Sequence, residues 1–218
     1  MGRWGLFVTL EGIEGSGKST LGRMLMDALQ AHGIPVTATR EPGGTPAAEA
    51  IREALLHPSL SWDPWAETFA MLAARRENVV RVILPALREG QVVLCDRFMD
   101  STYAYQGYGR GLPLRVLSRL HRFVLSGVRP HLTLLVDLPV ADAFRRLNRS
   151  FDRFEQEERA FHERVREGYL RLARRAKKRF LVLDGRKAPE DLLQEALPVV
   201  LARYHQRRKK RLPSSGKD

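Results

Sequence analysis

Cysteine is nearly absent: Cys95 is the single thiol in 218 residues, so no internal disulfide can form and a metal cage built on thiolates is excluded. Its place in an apolar run marks it as a buried core residue rather than a nucleophile. Long hydrophobic runs are also missing. No stretch reaches the roughly 18 apolar residues that a membrane-spanning helix needs, and Arg3, Glu11 and Glu14 interrupt the N-terminal apolar segment where a signal peptide would be uniform. A soluble, cytoplasmic protein without membrane contact is expected. No internal repeat or linker divides the chain. With 44% hydrophobic residues it has the material for one compact α/β domain, expected over residues 1–204.

The formal net charge of +12 suggests an anionic partner, and its distribution narrows that suggestion. Residues 145–179 carry 13 Lys and Arg against 6 Asp and Glu, and residues 203–218 carry 7 against 1, so the remainder is close to neutral. The first block suits polyanionic phosphates. The second, ending RRKKRLPSSGKD, reads as the end of a helix followed by a basic, disordered tail over 205–218, with nucleic-acid contact as its less favoured role.

The chain is organised around LFVTLEGIEGSGKS, residues 6–19. An apolar run stops at Gly12, and Gly12-Ile13-Glu14-Gly15-Ser16-Gly17-Lys18-Ser19 then fits the pattern G-x-x-x-x-G-K-[ST]. The glycines let backbone N–H groups turn inward as an anion nest, and the following helix, entered through Ser19 and Thr20, presents its positive end to the same phosphates. Lys18 is expected at the β/γ-phosphates and Ser19 on Mg²⁺. Nucleoside triphosphate binding follows.

The rest of the chain supplies the frame. Leu21, Leu25 and Leu29 predict a helix over about 18–32, ended by Gly33. Residues 35–39 form a short strand, and the Pro-Gly-Gly of 40–45 a loop. Thr45-Pro46 opens a helix bearing Ile51, Arg52, Leu55 and Leu56. A longer helix runs from Asp63-Pro64 to about Glu89, its end bent by Pro85. Residues 91–95, 133–137 and 180–184 are continuous apolar strands, with Asp96-Arg97-Phe98 at the end where open α/β sheets hold ligands. Helices are expected at 139–148 and 156–178 and from Pro189 onward. Together with 6–10, these strands predict an α/β P-loop NTPase fold of three layers: a five-stranded parallel sheet with helices on both faces.

A P-loop alone admits GTPases, ATPases, small-molecule kinases and nucleic-acid motors. REPGGT (Arg40 to Thr45), DRF (Asp96 to Phe98), DSTYAYQGYGRG (Asp100 to Gly111) and DRFEQE (Asp152 to Glu157), in this order and spacing, resemble the bacterial thymidylate kinases, and the resemblance extends to about Tyr204. It implies transfer of the ATP γ-phosphoryl to dTMP, and a homodimer packed through helices. Residue by residue it implies that Glu14 holds the sugar 3′-hydroxyl, Asp96 stands near Mg²⁺ and the reacting phosphates, and Arg97 clamps the acceptor phosphate, to which a planar fork is suited. Arg52 is a candidate for the same phosphate. Arg76 matches the arginine that reads the thymine edge. Leu72 occupies the position four residues earlier where relatives carry a stacking Phe, and Phe69, one turn away, is the candidate aromatic substitute.

Ser101, Thr102, Tyr105 and Gln106 match the lining of the thymidine pocket. The segment at about 145–157 matches the family's lid; the P-loop has no arginine of its own, so Arg149 and Arg153 in that lid are expected to bring positive charge over the migrating group. That lid is one or two residues shorter than in common bacterial examples. The alternatives are a kinase of another deoxynucleoside monophosphate and a nucleic-acid-binding P-loop protein that uses the basic tail.

Overall fold

The computed structural model describes residues 5–146, 153–154 and 157–209. Five strands, β1 (Leu6–Glu11), β2 (Val36–Arg40), β3 (Val92–Asp96), β4 (Leu132–Asp137) and β5 (Phe180–Asp184), form one parallel sheet in the order β2-β3-β1-β4-β5. The pairing is in register from Leu6 opposite Val92 on one side of β1, and from Val8 opposite Leu132 on the other. β1 is buried along its whole length, as a central strand covered on both faces must be.

Alternation along β1 separates two cores. Leu6, Val8 and Leu10 point to one face, where α1 (Lys18–Ala31) lays Leu21, Leu25 and Leu29 beside Leu192, Ala196, Val200 and Tyr204 of the last helix (Pro189–Lys209). Phe7 points to the other face, against Val93, Cys95 and Phe98. Glu11 shares the side of Phe7, so the strand's period of two aims its carboxylate at the helices that build the site. The last helix continues past the expected boundary at Tyr204 to Lys209, and Arg207 Nε donates to Gly5 O at 3.0 Å.

α2 (Pro46–Leu56) starts as expected, with Thr45 Oγ1 accepting from Ala48 N at 3.2 Å and proline in the first turn. α3 (Pro64–Asn78) is capped by Asp63, whose Oδ1 accepts from Trp65 N and Ala66 N at 2.8 and 3.1 Å. The expected single helix to Glu89 is instead interrupted. A wide, π-type stretch over Val79–Ile83 precedes α4 (Leu84–Arg88), and Pro85, with no N–H to give, sits at the start of the new helix.

Residues 99–124, for which the sequence pattern predicts no element, are also helical. α5 (Met99–Thr102) leads into π-type turns over Tyr103–Gly109, and α6 (Leu114–Val124) follows. α7 (Val140–Arg146) and α8 (Arg159–Arg175) flank the expected lid, and α9 is the last helix, Pro189–Lys209. Among the described residues no helix is long and apolar enough to cross a membrane.

Candidate active site

The sheet places the carboxyl ends of β1 and β3 side by side, and two clefts open there. The first surrounds the loop between β1 and α1. Gly12 has φ 145, and a Cβ there would lie 2.5 Å from Val136 O, so neither the conformation nor the space admits a side chain. Gly15 is equally closed: φ is 72, and a Cβ would stand 2.5 Å from Ala143 O. The loop can therefore lie flat against β4 and α7 only with glycine at both points.

Gly15, Ser16, Gly17, Lys18, Ser19 and Thr20 line this cleft, with Arg146, Gly185 and Lys187 opposite. Ile13 is buried beneath it, and its carbonyl accepts from Lys18 Nζ at 3.3 Å. Burial, and after it the charge of Arg97, lowers the Lys18 ammonium below its ordinary range. Ser19 Oγ donates to Asp96 Oδ2 at 2.6 Å, while the other oxygen of Asp96 is buried with no partner among the described residues.

The second cleft is walled by Glu14, Glu41, Arg52, Met71, Arg75, Arg97, Ser101, Thr102, Tyr105, Gln106 and Phe154, with Pro42 and Leu56 at its margin. Arg97 stands where it meets the phosphate loop. Its φ of 67 is a left-handed conformation costing a non-glycine residue roughly 1–2 kcal/mol, and its surroundings hold it there. Its backbone N donates to Leu10 O at 2.9 Å, and the next amide, Phe98 N, donates to Glu11 Oε1 at 2.9 Å.

The Arg97 guanidinium reaches Glu14 Oε1 at 2.6 Å and Tyr169 Oη at 3.1 Å and lies over the Tyr105 ring, 5.0 Å from its centroid. Tyr105 Oη donates to Glu14 Oε2 at 2.6 Å. Burial pushes the Glu14 carboxyl up, but Arg97 and Lys18 outweigh it and hold the group at about 2. Glu14 is therefore ionised throughout the working range.

Glu11 behaves in the opposite way. It accepts from Ser101 Oγ at 2.6 Å and from Tyr169 Oη at 3.1 Å, yet burial and the nearby charge of Asp100 raise it to about 7. Sequence reasoning assigned it no role. Its position one residue before Gly12, on the Phe7 side of β1, was the available signal.

Neither residue expected to contact the base lines the cleft. Arg76 does not face the cleft: its Nη1 donates to Val124 O at 3.0 Å and to Ser126 Oγ. Leu72 is buried and does not line the cleft either, and Phe69 is 55% exposed and stacks on Trp65. Arg75 and Met71 occupy the cleft instead, with the same four-residue spacing. One residue turns a helix by about 100°, which is enough to exchange a wall of the site for the outside of the protein.

Arg75 is 2% exposed and fully braced. Its Nε meets Glu41 Oε2 at 2.5 Å, its Nη1 meets Thr102 Oγ1 at 2.8 Å and His121 Nε2 at 2.9 Å, and its Nη2 donates to Phe98 O at 2.9 Å. Arg52 Nη1 donates to Pro42 O at 2.9 Å and lines the same cleft.

Arg153 also departs from expectation. Its Nε donates to Leu55 O at 2.7 Å, its Nη1 pairs with Glu67 Oε2 at 2.7 Å, and its guanidinium covers the Phe154 ring. It belongs to a buried cluster in which Glu67 also takes Arg110 and Gln106, each at 2.9 Å, so it is not placed over the phosphate loop. A carboxylate buried in the neighbouring helix attracts this arginine more strongly than an open cleft can. Arg149 lies outside the described residues. Arg146, which the sequence reading passed over, lines the phosphate cleft.

Known proteins with this arrangement agree with one another. The family model described as thymidylate kinase matches residues 10–196. A thymidylate kinase of Pelotomaculum thermopropionicum is 47% identical over 204 residues, covering 90% of this chain and 94% of its own. One of Pseudomonas putida is 51% identical over 189 residues, covering 85% and 90%. The crystal structure of the thymidylate kinase of Ehrlichia chaffeensis superposes with a TM-score of 0.74 at 32% identity, covering 90% of this chain and 99% of that one. The fold is that of the P-loop NTPases, and with a family model matching most of its length and relatives about half identical over most of both chains, this chain belongs to the thymidylate kinase family.

Proposed function

We propose that the protein transfers the γ-phosphoryl of ATP to dTMP, giving dTDP, in the two adjoining clefts. The observation that carries this reading is the position of Arg97. It is fixed by its backbone at the seam between the phosphate loop and a second cleft lined by polar and apolar side chains, within reach of Glu14 on one side and Ser101 on the other.

In that reading Lys18 and the loop amides hold the β/γ-phosphates, and Arg97 and Arg52 hold the acceptor phosphate in line with them. Positioning and charge neutralisation supply most of the catalysis. Glu14 receives the sugar 3′-hydroxyl and Tyr105 leaves no room for a 2′-hydroxyl. Ser101, Thr102 and Gln106 line the thymidine side. Arg75 reads the base edge and Met71 lies against its face. Arg149, with Arg146 beside the loop, brings positive charge from the lid segment.

The residues present fit Mg²⁺. The Ser19 hydroxyl and the Asp96 carboxylate are adjacent, and Asp96 has a buried oxygen with no protein partner, which suits a cation that takes one carboxylate and fills its shell with phosphate and water. When bound, the ion supplies positive charge to the bridging phosphates.

The family resemblance also points to a homodimer, and Phe123 on α6, 87% exposed, and Phe69 on the neighbouring α3 offer it an apolar surface. We place the enzyme in cytoplasmic nucleotide synthesis, with residues 1–204 as the kinase domain and the basic end as an appendage.

The test is ADP formation from ATP and Mg²⁺ with dTMP, dUMP, dCMP, dGMP, UMP and thymidine offered separately. Strong preference for dTMP is expected. Preference for another monophosphate would keep the phosphate sites and overturn the base pocket, and turnover with none would overturn the proposal.

A further inference from the structure

His121 lies on α6, outside both clefts, and is 2% exposed. It touches the site only through Arg75, whose Nη1 stands 2.9 Å from His121 Nε2. A guanidinium has five N–H donors and no acceptor, so the imidazole nitrogen must accept. The imidazole is therefore neutral with its hydrogen on Nδ1, an atom that is buried with no partner among the described residues. Burial and then the charge of Arg75 push the His121 imidazolium down to about 2, which keeps that acceptor available at any working pH.

The donors of Arg75 can now be followed one by one. Nε is taken by Glu41, the two Nη1 hydrogens by Thr102 and His121, and one Nη2 hydrogen by Phe98 O. Among the described residues one Nη2 hydrogen is left without a partner. Resting on the reading of Arg75 as the residue that meets the base, we infer that His121 is a positioning residue for base selection: by taking the second Nη1 hydrogen it fixes the guanidinium so that the cleft is offered a single N–H.

A single fixed donor accepts a base edge carrying a carbonyl oxygen and rejects one carrying an exocyclic amino group, which would bring a second donor and leave both unmatched. Without His121, Nη1 would have a hydrogen with no partner inside the protein. The guanidinium would then be free to turn toward the cleft, where water or an altered base could use it.

The experiment compares His121→Leu with His121→Gln, whose side-chain carbonyl can reach the place of Nε2. Wild type and both variants are assayed with ATP and Mg²⁺ against dTMP and dCMP, and their melting temperatures are recorded. In His121→Leu the KM for dTMP is expected to rise roughly tenfold, with the smaller part of the loss in kcat, as for one unmatched buried donor. The preference for dTMP over dCMP should narrow by a similar factor, and His121→Gln should recover most of both.

Equal impairment of the two variants, following their loss of melting temperature, would reduce His121 to a packing residue and overturn the inference. So would an unchanged dTMP preference in His121→Leu. If His121→Leu does not fold, His121→Asn, with a carbonyl too short to reach Nη1, carries the same comparison. A wild type indifferent to the base would overturn the reading of Arg75 itself, which is a different result from a selective wild type with an equally selective variant.

Discussion

At the scale of single residues, adjacent arginines in one helix have opposite fates, and the consequence can be measured. Arg75→Ala removes the partner of buried Glu41 and is expected to destabilise the fold by about 3–5 kcal/mol. Arg76→Ala touches an exposed cap on Val124 and Ser126 and should stay within about 0.5 kcal/mol. Urea denaturation of both variants checks this, and similar losses would show that the assignment of faces is wrong. The doublet Arg75-Arg76 could not be resolved from motif spacing alone, because either arginine completes an i, i+4 pair. The buried stripe Thr68, Leu72, Arg75 and Val79 contained the answer, since its 4-3-4 spacing puts Arg75 on the inner side.

Glu11 gives a second test at this scale. Its folded-state value near 7 exceeds the ordinary 4.5, so the folded protein retains a proton that the unfolded chain releases. The corresponding stability is complete below about pH 4.5 and is lost as pH rises through about 7. Glu11→Gln cannot ionise, so its stability relative to wild type should increase across that window; urea midpoints taken at about pH 5 and about pH 8 that differ by the same amount would refute this. Lys18→Ala should lower kcat by roughly 10²–10³ while the protein remains folded, as removal of one preorganised charge at a developing anion does. Steady-state kinetics with ATP and dTMP, and circular dichroism as the folding control, decide it.

At the scale of elements, the strands were legible and the helical insert after β3 was not. Apolar runs define β1, β3 and β4 within a residue, because the inner strands of a doubly covered parallel sheet demand continuous burial, while the edge strand β2, only partly buried, was marked by Pro35 and the Pro-Gly-Gly loop on either side of it. Residues 99–124 follow another logic. Their π-type turns are held by α8: a Cβ at Gly109 would meet the Phe161 ring at 2.7 Å, and Gly168 leaves room for Tyr108. No local period announces a conformation that a distant helix imposes. The break at Val79–Ile83 was half legible, since Pro85 gave the bend but not the wide turn before it.

α3 carries Glu67, Met71 and Arg75 and is tied to its neighbours by the ion pairs of Glu67 and Arg75. Its N-terminal cap therefore governs stability more than function. Asp63→Ala should cost about 1 kcal/mol by chemical denaturation. The KM for dTMP should not change, and a large change would mean that the helix is held from its end rather than its middle.

At the scale of the whole molecule, the exposed aromatic surface on α3 and α6 predicts self-association. Phe123→Asp should convert a sedimenting dimer to a monomer, and a wild type that is monomeric at micromolar concentration would remove that part of the proposal. Basic charge is less informative at this scale than its total suggests. Much of the 145–179 block is engaged internally, with Arg166 on Asp137, Arg171 and Arg174 on Glu167, and Arg179 on Asp100.

The central place of β1 has a further consequence, for the making of the protein rather than its work. Leu6–Glu11 is synthesised ahead of both of its neighbours, which begin at Val92 and Leu132. At ordinary rates of synthesis the strand waits on the order of ten seconds for its second partner. During that time it is an unpaired apolar segment with strand-forming side chains, open to pairing with another nascent chain. The topology that sets the phosphate loop between the two clefts thus leaves the newborn chain dependent on whatever shields its first strand until the sheet can close around it.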